Sequence, residues 1–206
     1  MTFKKKMRPN ASQFPNMHGY ALEKLEELNH PLIPELYYYD DEEYECKFID
    51  GLTLEAFIMK HGDYDVALNV LEQVNDLMNK MAKITLTFEW ENMWNDLYWR
   101  MSADDIHAAN ILIDKDGNPY LIDLDQIGFW HPFTVYQLMM NAHMKLTDSL
   151  RYTFIGWQHK NLARKIDHLS NTHLKSAIAY ENGVRHGFWN VKTVEEIKEN
   201  YEKYKE

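Results

Sequence analysis

Asp105, Asn110 and Asp123 flank a short apolar ribbon, and their side chains are of the kinds that hold a hard metal ion and orient a hydroxyl. Residues 101–128 read MSADDIHAANILIDKDGNPYLIDLDQIG. Ile111-Leu112-Ile113-Asp114 and Pro119-Tyr120-Leu121-Ile122 are apolar runs, and Lys115-Asp116-Gly117-Asn118 between them is a hairpin-turn signal. Folding about that turn sets 114 against 119 and 111 against 122, so the next pair outward is Asn110 and Asp123. Antiparallel neighbours lie roughly 4.5–5.5 Å apart. An amide oxygen and a carboxylate are therefore expected to converge at one end of the ribbon, as donors for a Mg²⁺ shared with phosphates. Asp105 precedes them on a loop able to curl over the same end, where a carboxylate accepts or orients a hydroxyl proton.

The elements that must carry this segment are legible from periodicity. Ala21, Leu22, Leu25 and Leu28 among glutamates predict a short helix over 20–29, which Pro31 and Pro34 end. Leu36 to Tyr39 reads as a strand, Asp40 to Glu43 as a polar turn, and Tyr44, Cys46 and Phe48, alternating with Glu45, Lys47 and Ile49, as a second strand. Asp50-Gly51 breaks that pattern, and helices are expected to dominate beyond it. Val70, Leu71, Val74, Leu77, Met78 and Met81 form one stripe at helical spacing; Trp90, Met93, Trp94, Leu97 and Tyr98 form another. Both read as core. A last helix opens on a Thr193 cap with Glu196 three residues on. A sheet-rich front and a helix-rich back predict α+β architecture.

Asp105-Ile-His-Ala-Ala-Asn110 resembles the catalytic loop of the protein-kinase-like superfamily, Asp-x-x-x-x-Asn. Asp123-Leu124-Asp125 resembles the metal-binding Asp-Phe-Gly element that follows it. The resemblance implies that Asp105 engages the acceptor hydroxyl while Asn110 and Asp123 hold Mg²⁺ against the ATP phosphates. His107, two past the first Asp, and the acid Asp125 resemble the aminoglycoside and choline kinase branch, and imply a small-molecule or sugar acceptor. His107 and Asp125 are then expected to support the phosphates or a second metal contact.

Upstream, Leu25 to Pro31 resembles the end of the family's small-lobe helix, and Tyr44 to Phe57 its last small-lobe strand and hinge. Phe48, Ile49 and Asp50 are then the expected neighbours of adenine. The resemblance implies a two-lobe fold, with a reduced small lobe over residues 1–50 and a helical large lobe over 51–206. It covers roughly residues 20–130.

Three departures accompany it. The stretch before the hinge is short for the full small-lobe sheet and carries no Gly-rich phosphate loop. Ala21 stands where the helix normally supplies a Glu to pair with the ATP-contacting Lys; Glu23 is the nearby substitute. The cation is expected from Lys4, Lys5 or Lys6, with Lys4 and Lys6 taken as the phosphate contacts. Ala103 and Asp104 precede Asp105 where the family has a His two residues before it. These gaps keep a second reading open, a catalytically degenerate kinase-like regulatory or interaction module, and they leave room for a protein partner that completes the reduced lobe. Tyr120 to Asp125 is also similar to the nucleophile strand of haloacid-dehalogenase-type phosphatases and to the Asp-x-Asp motif of glycosyltransferases. The first normally opens its domain and needs downstream Lys and Asp motifs; the second needs a preceding strand–helix alternation.

The bulk composition narrows the classes. At 206 residues, 45% hydrophobic and 26% charged, the chain suits one domain or two small lobes. A net charge of −10 argues against binding a nucleic-acid backbone. No run of about 18 apolar residues occurs, so no membrane span is expected. Lys4, Lys5, Lys6 and Arg8 are not followed by the apolar stretch of a secretory signal. A single cysteine, Cys46, excludes an internal disulfide and a Cys-based zinc site, and fits a cytoplasmic setting.

Overall fold

A computed structural model describes residues 1–8, 13, 16–86, 99–130 and 132–153. These form a mixed α+β arrangement of eight strands and four α-helices. Strand β1 (Thr2–Lys6), helix α1 (His18–Glu27), β2 (Leu36–Tyr39) and β3 (Glu43–Lys47) come first. The strands make an antiparallel sheet in the order β1-β3-β2. The expected strand over 36–39 is present as read. The turn after it is tied by Asp40, whose Oδ1 accepts from the Glu42 and Glu43 amides at 2.7 and 2.8 Å.

Beyond residue 50 the chain is not purely helical. Helices α2 (Leu54–His61), α3 (Tyr64–Met81) and α4 (Pro132–Thr153) are accompanied by β4 (Gly51–Thr53), β5 (Arg100–Ala103), β6 (Ile111–Asp114), β7 (Pro119–Leu121) and β8 (Ile127–Trp130). These strands make two small sheets, β4-β6-β7 and β5-β8. Gly51 is thus a strand start rather than a breaker, and its lack of a side chain is what admits it: a Cβ there would lie 2.4 Å from the Ile113 carbonyl oxygen. The Trp90–Tyr98 stripe and the Thr193-capped helix lie outside the described residues.

Helix α3 shows why the first apolar stripe was legible. Val70, Leu71, Val74, Leu77, Met78 and Met81 are all buried, and Asp63 caps the helix by accepting from the Val66 amide at 3.3 Å. The stripe joins Leu22 and Leu25 of α1, Met101 of β5, Phe129 and Trp130 of β8 and Leu138 of α4 in one core. Tyr20 of α1 stacks on Phe129, with ring centroids 5.7 Å apart. The loop after α1 reaches the hairpin directly, since the Leu121 amide donates to the Leu32 carbonyl at 2.7 Å. Among the described residues no helix is long and apolar enough to cross a membrane.

Candidate active site

Strands β5 and β8 bring the chemistry-bearing residues together. They pair antiparallel with Ala103 opposite Ile127, so the chain leaves β5 through Asp104-Asp105 beside the Leu124–Gln126 3-10 turn that leads into β8. The Asp104 amide donates to the Gln126 carbonyl at 3.1 Å. Asp105 and Asp123 both take the left-handed backbone conformation, with φ of 60° and 66°. Aspartate visits that region more readily than most residues, because its short side chain bonds locally.

Each conformation has its own supports. Asp104 Oδ1 accepts from the Asp105 amide at 2.7 Å, and Asn110 Nδ2 donates to the Asp105 carbonyl at 3.0 Å. On the other side, the Leu124 amide donates to the hydroxyl of the buried Tyr44 at 3.1 Å, pinning the turn to β3.

The hairpin register differs by one residue from the sequence expectation. Ile111 pairs with Leu121 and Ile113 with Pro119, and the Ile122 amide donates to the Asn110 carbonyl at 2.8 Å. Asn110 therefore lies opposite Ile122, and Asp123 is one residue further along. The turn sets this. Asp114 closes on Asn118 through its amide at 3.0 Å, and its Oδ1 accepts from the amides of Asp116 and Asn118 at 2.9 and 2.8 Å. Gly117, at φ 86°, takes the left-handed position of this tighter loop. The amide and the carboxylate are thus offset across the ribbon instead of directly paired.

The cations are also placed differently. Side chains alternate along a strand, so Lys5 of β1 points away from the face that Lys4 and Lys6 share. Lys4 pairs with Glu43 at 2.5 Å and Lys6 is exposed, so neither meets the carboxylates. Lys5 does: its Nζ contacts Asp123 Oδ1 and lies 3.4 Å from Asp125 Oδ2. Arg8 adds a second cation, with Nε donating to Asp125 Oδ2 at 2.7 Å and Nη2 at 3.7 Å from Asp123. Glu23, the substitute for a helix glutamate, is half-exposed and lies 3.7 Å from Lys24 instead.

Asp105 faces a third cation. Lys145 of α4 donates to Asp105 Oδ1 at 3.0 Å and lies 3.9 Å from Asp104. His107 Nδ1 accepts from the Ala109 amide at 3.2 Å, which leaves Nε2 as the assigned N–H, 3.5 Å from Asp105 Oδ2. Partial burial works to raise the Asp105 pKa, but Lys145 and then His107 overcome it and hold the carboxyl below its ordinary range. For Lys5, burial outweighs the attraction of Asp125 and lowers the ammonium pKa. The charge of Asp105 acts on both Lys5 and Arg8, so the two sides belong to one electrostatic cluster.

A cavity of about 230 Å³ opens beside this cluster. Phe48 and Ile49 line it with Phe3, Leu112 and Ile122, and its charged lining residues are Lys5, Lys47 and Asp123. Asp50 is exposed and is not among the lining residues. Among the described residues no three His, Cys, Asp or Glu side chains form a metal cage. Mg²⁺ does not need one, since it commonly takes one or two protein oxygens with the rest from water and phosphate. Asp123 fits that role. So does Asn110, whose Nδ2 is spent on Asp105 while its Oδ1 remains an acceptor.

Lys145, Tyr44 and the pairing of Arg8 with Asp125 were not singled out from the sequence. Each depends on a contact between residues 40, 80 or 117 positions apart, for which local spacing carries no signal. No family model and no curated protein matches this chain. Among solved structures it is similar to the choline kinase LicA from Streptococcus pneumoniae. The identity is 12% and the TM-score 0.43, over 98% of this chain and 84% of that one.

Proposed function

We propose that this chain is a kinase-like phosphotransferase, which moves the γ-phosphoryl group of ATP, with Mg²⁺, to a hydroxyl of a small molecule or sugar. The observation that supports the reading is a cavity lined by Phe48 and Ile49 together with Lys5 and Asp123, whose charged groups share one electrostatic cluster with Asp105. Residues 1–50 then act as a reduced small lobe and 51–206 as the large lobe, in a cytoplasmic protein whose small lobe a partner protein completes.

In this reading the adenine lies among Ile49, Leu112 and Ile122, near the backbone of 48–50. Lys5 turns from Asp123 to the phosphates, the role a strand lysine has in the kinase family. Asp123 and Asn110 would hold the metal, which would supply neutralisation of charge on the phosphate oxygens. Asp105 receives a hydrogen bond from the acceptor hydroxyl and aims its oxygen at the γ-phosphorus. A bond forms between that oxygen and phosphorus, the bond to the bridging oxygen of ADP breaks, and the hydroxyl proton leaves through the Asp105 side. A carboxylate held below its ordinary pKa is a weak base, so its contribution is chiefly orientation and charge placement.

A second reading, a degenerate module without turnover, draws on Ala21, which is fully buried where the family's helix glutamate stands. Thermal unfolding with ATP and Mg²⁺ separates the two. A ligand at about 100 times its Kd stabilises the native state by roughly 2.7 kcal/mol. The expected result is a metal-dependent rise that Asp123→Asn removes, with ADP released when hydroxyl compounds are screened by mass spectrometry. No rise, or an equal rise in the variant, supports the degenerate module.

A further inference from the structure

The lysine that the cavity presents needs a carboxylate to hold it, and α1 does not provide one. Ala21 is fully buried, and Glu23 is half-exposed beside Lys24. The geometry points to Asp125 as the residue that positions Lys5, taking over the task of an absent helix glutamate and leaving metal binding to Asp123 and Asn110. This rests on the nucleotide-site reading above and assigns one acid within it.

Three observations divide the labour between the two acids of Asp123-Leu124-Asp125. First, Asp123 and Lys5 line the cavity and Asp125 does not. Asp125 thus reaches Lys5 without itself lining the cavity. Second, the Asp125 side chain is 0% exposed whereas that of Asp123 is 24% exposed. Mg²⁺ dehydrates reluctantly and keeps several waters, so it favours the carboxylate that opens to the cavity. Third, the two cations share one oxygen of Asp125, Oδ2, at 2.7 Å from Arg8 Nε and 3.4 Å from Lys5 Nζ. At Asp123 they divide, Lys5 meeting Oδ1 and Arg8 Nη2 lying 3.7 Å from Oδ2.

A clasp of backbone and side chain fixes this arrangement. Gln126 Nε2 donates to the Arg8 carbonyl at 2.6 Å, so the segment after β1 and the turn before β8 hold each other through both Arg8 and Gln126. A buried carboxylate must be paired to remain charged. Arg8 supplies a second partner for Asp125, which lets the Lys5 ammonium swing from Asp123 to a phosphate while it keeps its contact with Asp125 Oδ2.

The test measures ADP affinity by calorimetry, with Mg²⁺ and with EDTA, in the full chain and in Asp123→Asn and Asp125→Asn. Asp125→Asn is expected to weaken ADP by about ten- to a hundredfold in both conditions, the usual penalty for losing a group that orients a ligand. The ratio of the two affinities should stay at the wild-type value, whereas Asp123→Asn should collapse that ratio toward one. Collapse of the ratio in Asp125→Asn would make Asp125 a metal ligand and overturn the assignment. Unchanged ADP affinity in Asp125→Asn overturns it as well.

Thermal unfolding of each variant checks the fold. Should Asp125→Asn not fold, Arg8→Gln asks the same question at a side chain that is 66% exposed. Its metal ratio is expected to stay unchanged, and a severalfold increase would show that Arg8 had been competing with the metal for Asp125. If the wild-type protein binds no ADP in either condition, the nucleotide-site reading itself fails, a result distinct from either outcome for Asp125.

Discussion

Asp123 and Asp105 share a left-handed backbone and a place in one charge cluster, yet their surroundings are opposite. The turn at Asp123 is closed: Tyr44 bonds the next amide from within the core, and Lys5, with 20% of its side chain exposed, meets the carboxylate. The loop at Asp105 is open: Lys145 and Asp105 have 42% and 48% of their side chains exposed. The same kind of ion pair therefore does different things. In the closed turn, low solvent access strengthens each contact and makes an unpaired group costly, so the geometry persists without ligand. On the open loop, water screens the pair and the contact is worth little, so a substrate can replace it. On the closed side the turn keeps its backbone shape while Lys5 changes partner, and on the open side the carboxylate itself is free to exchange Lys145 for a substrate.

The sharpest way to break this contrast is to neutralise the open acid. Asp105→Asn keeps a side chain that tolerates the left-handed backbone but removes the charge that would orient the acceptor. Turnover, followed as ADP release with an accepted hydroxyl compound, is expected to fall by about 10²- to 10³-fold. Stability in urea should change by no more than about 0.5 kcal/mol, as for surface substitutions generally. A large stability loss with little effect on rate would show that the open loop is structural.

The closed side predicts the reverse. Tyr44→Phe retains the buried ring and deletes only the hydroxyl that accepts from the Leu124 amide. A buried N–H left without a partner costs about 1–3 kcal/mol, to be read as a lowered urea midpoint at unchanged slope. A change below about 0.5 kcal/mol would mean that water reaches the turn and that the two sides differ less than their exposures suggest.

What could be read from the sequence follows the range of the interactions. The stripe from Val70 to Met81 and the strand from Leu36 to Tyr39 were legible because burial imposes a period on neighbouring residues. Asp105, Asn110 and Asp123 stand out in the sequence as a candidate set because they are close along the chain and chemically distinctive. The hairpin register was not: it depends on Asp114 Oδ1 accepting from two turn amides, which shortens the loop and shifts every pair. Nor was the choice among Lys4, Lys5 and Lys6, identical residues that differ only in which face of β1 they occupy once β1 pairs with β3. The pairing of Arg100–Ala103 with β8, which joins the two carboxylate segments, is a contact across an intervening hairpin.

The gentlest probe of the open side is Lys145→Met, which removes the cation nearest Asp105 and leaves the acid in place. The groups that face Asp105 are Lys145 from α4, Asp104 and His107 from its own loop and Asn110 from the following 3-10 turn. Lys5 and Arg8 act on it by charge from across the cluster. Lys145 is the strongest of the influences that lower the Asp105 pKa. A depressed carboxylate contributes stability that is fully present above its ordinary value, near 3.9, and lost as pH falls through the lower folded value. Without Lys145 the folded pKa rises, so at neutral pH the variant lacks that contribution, less than about 1 kcal/mol for so exposed a pair. If Asp105 works as the anion in phosphoryl transfer, as proposed, the acid limb of the kcat/KM profile moves to higher pH in the variant, while the rate near neutrality changes little. Raising the salt should reproduce part of the displacement in the wild-type protein, since screening weakens the same pair. An acid limb that stays in place with Lys145 removed would assign that limb to a group other than Asp105.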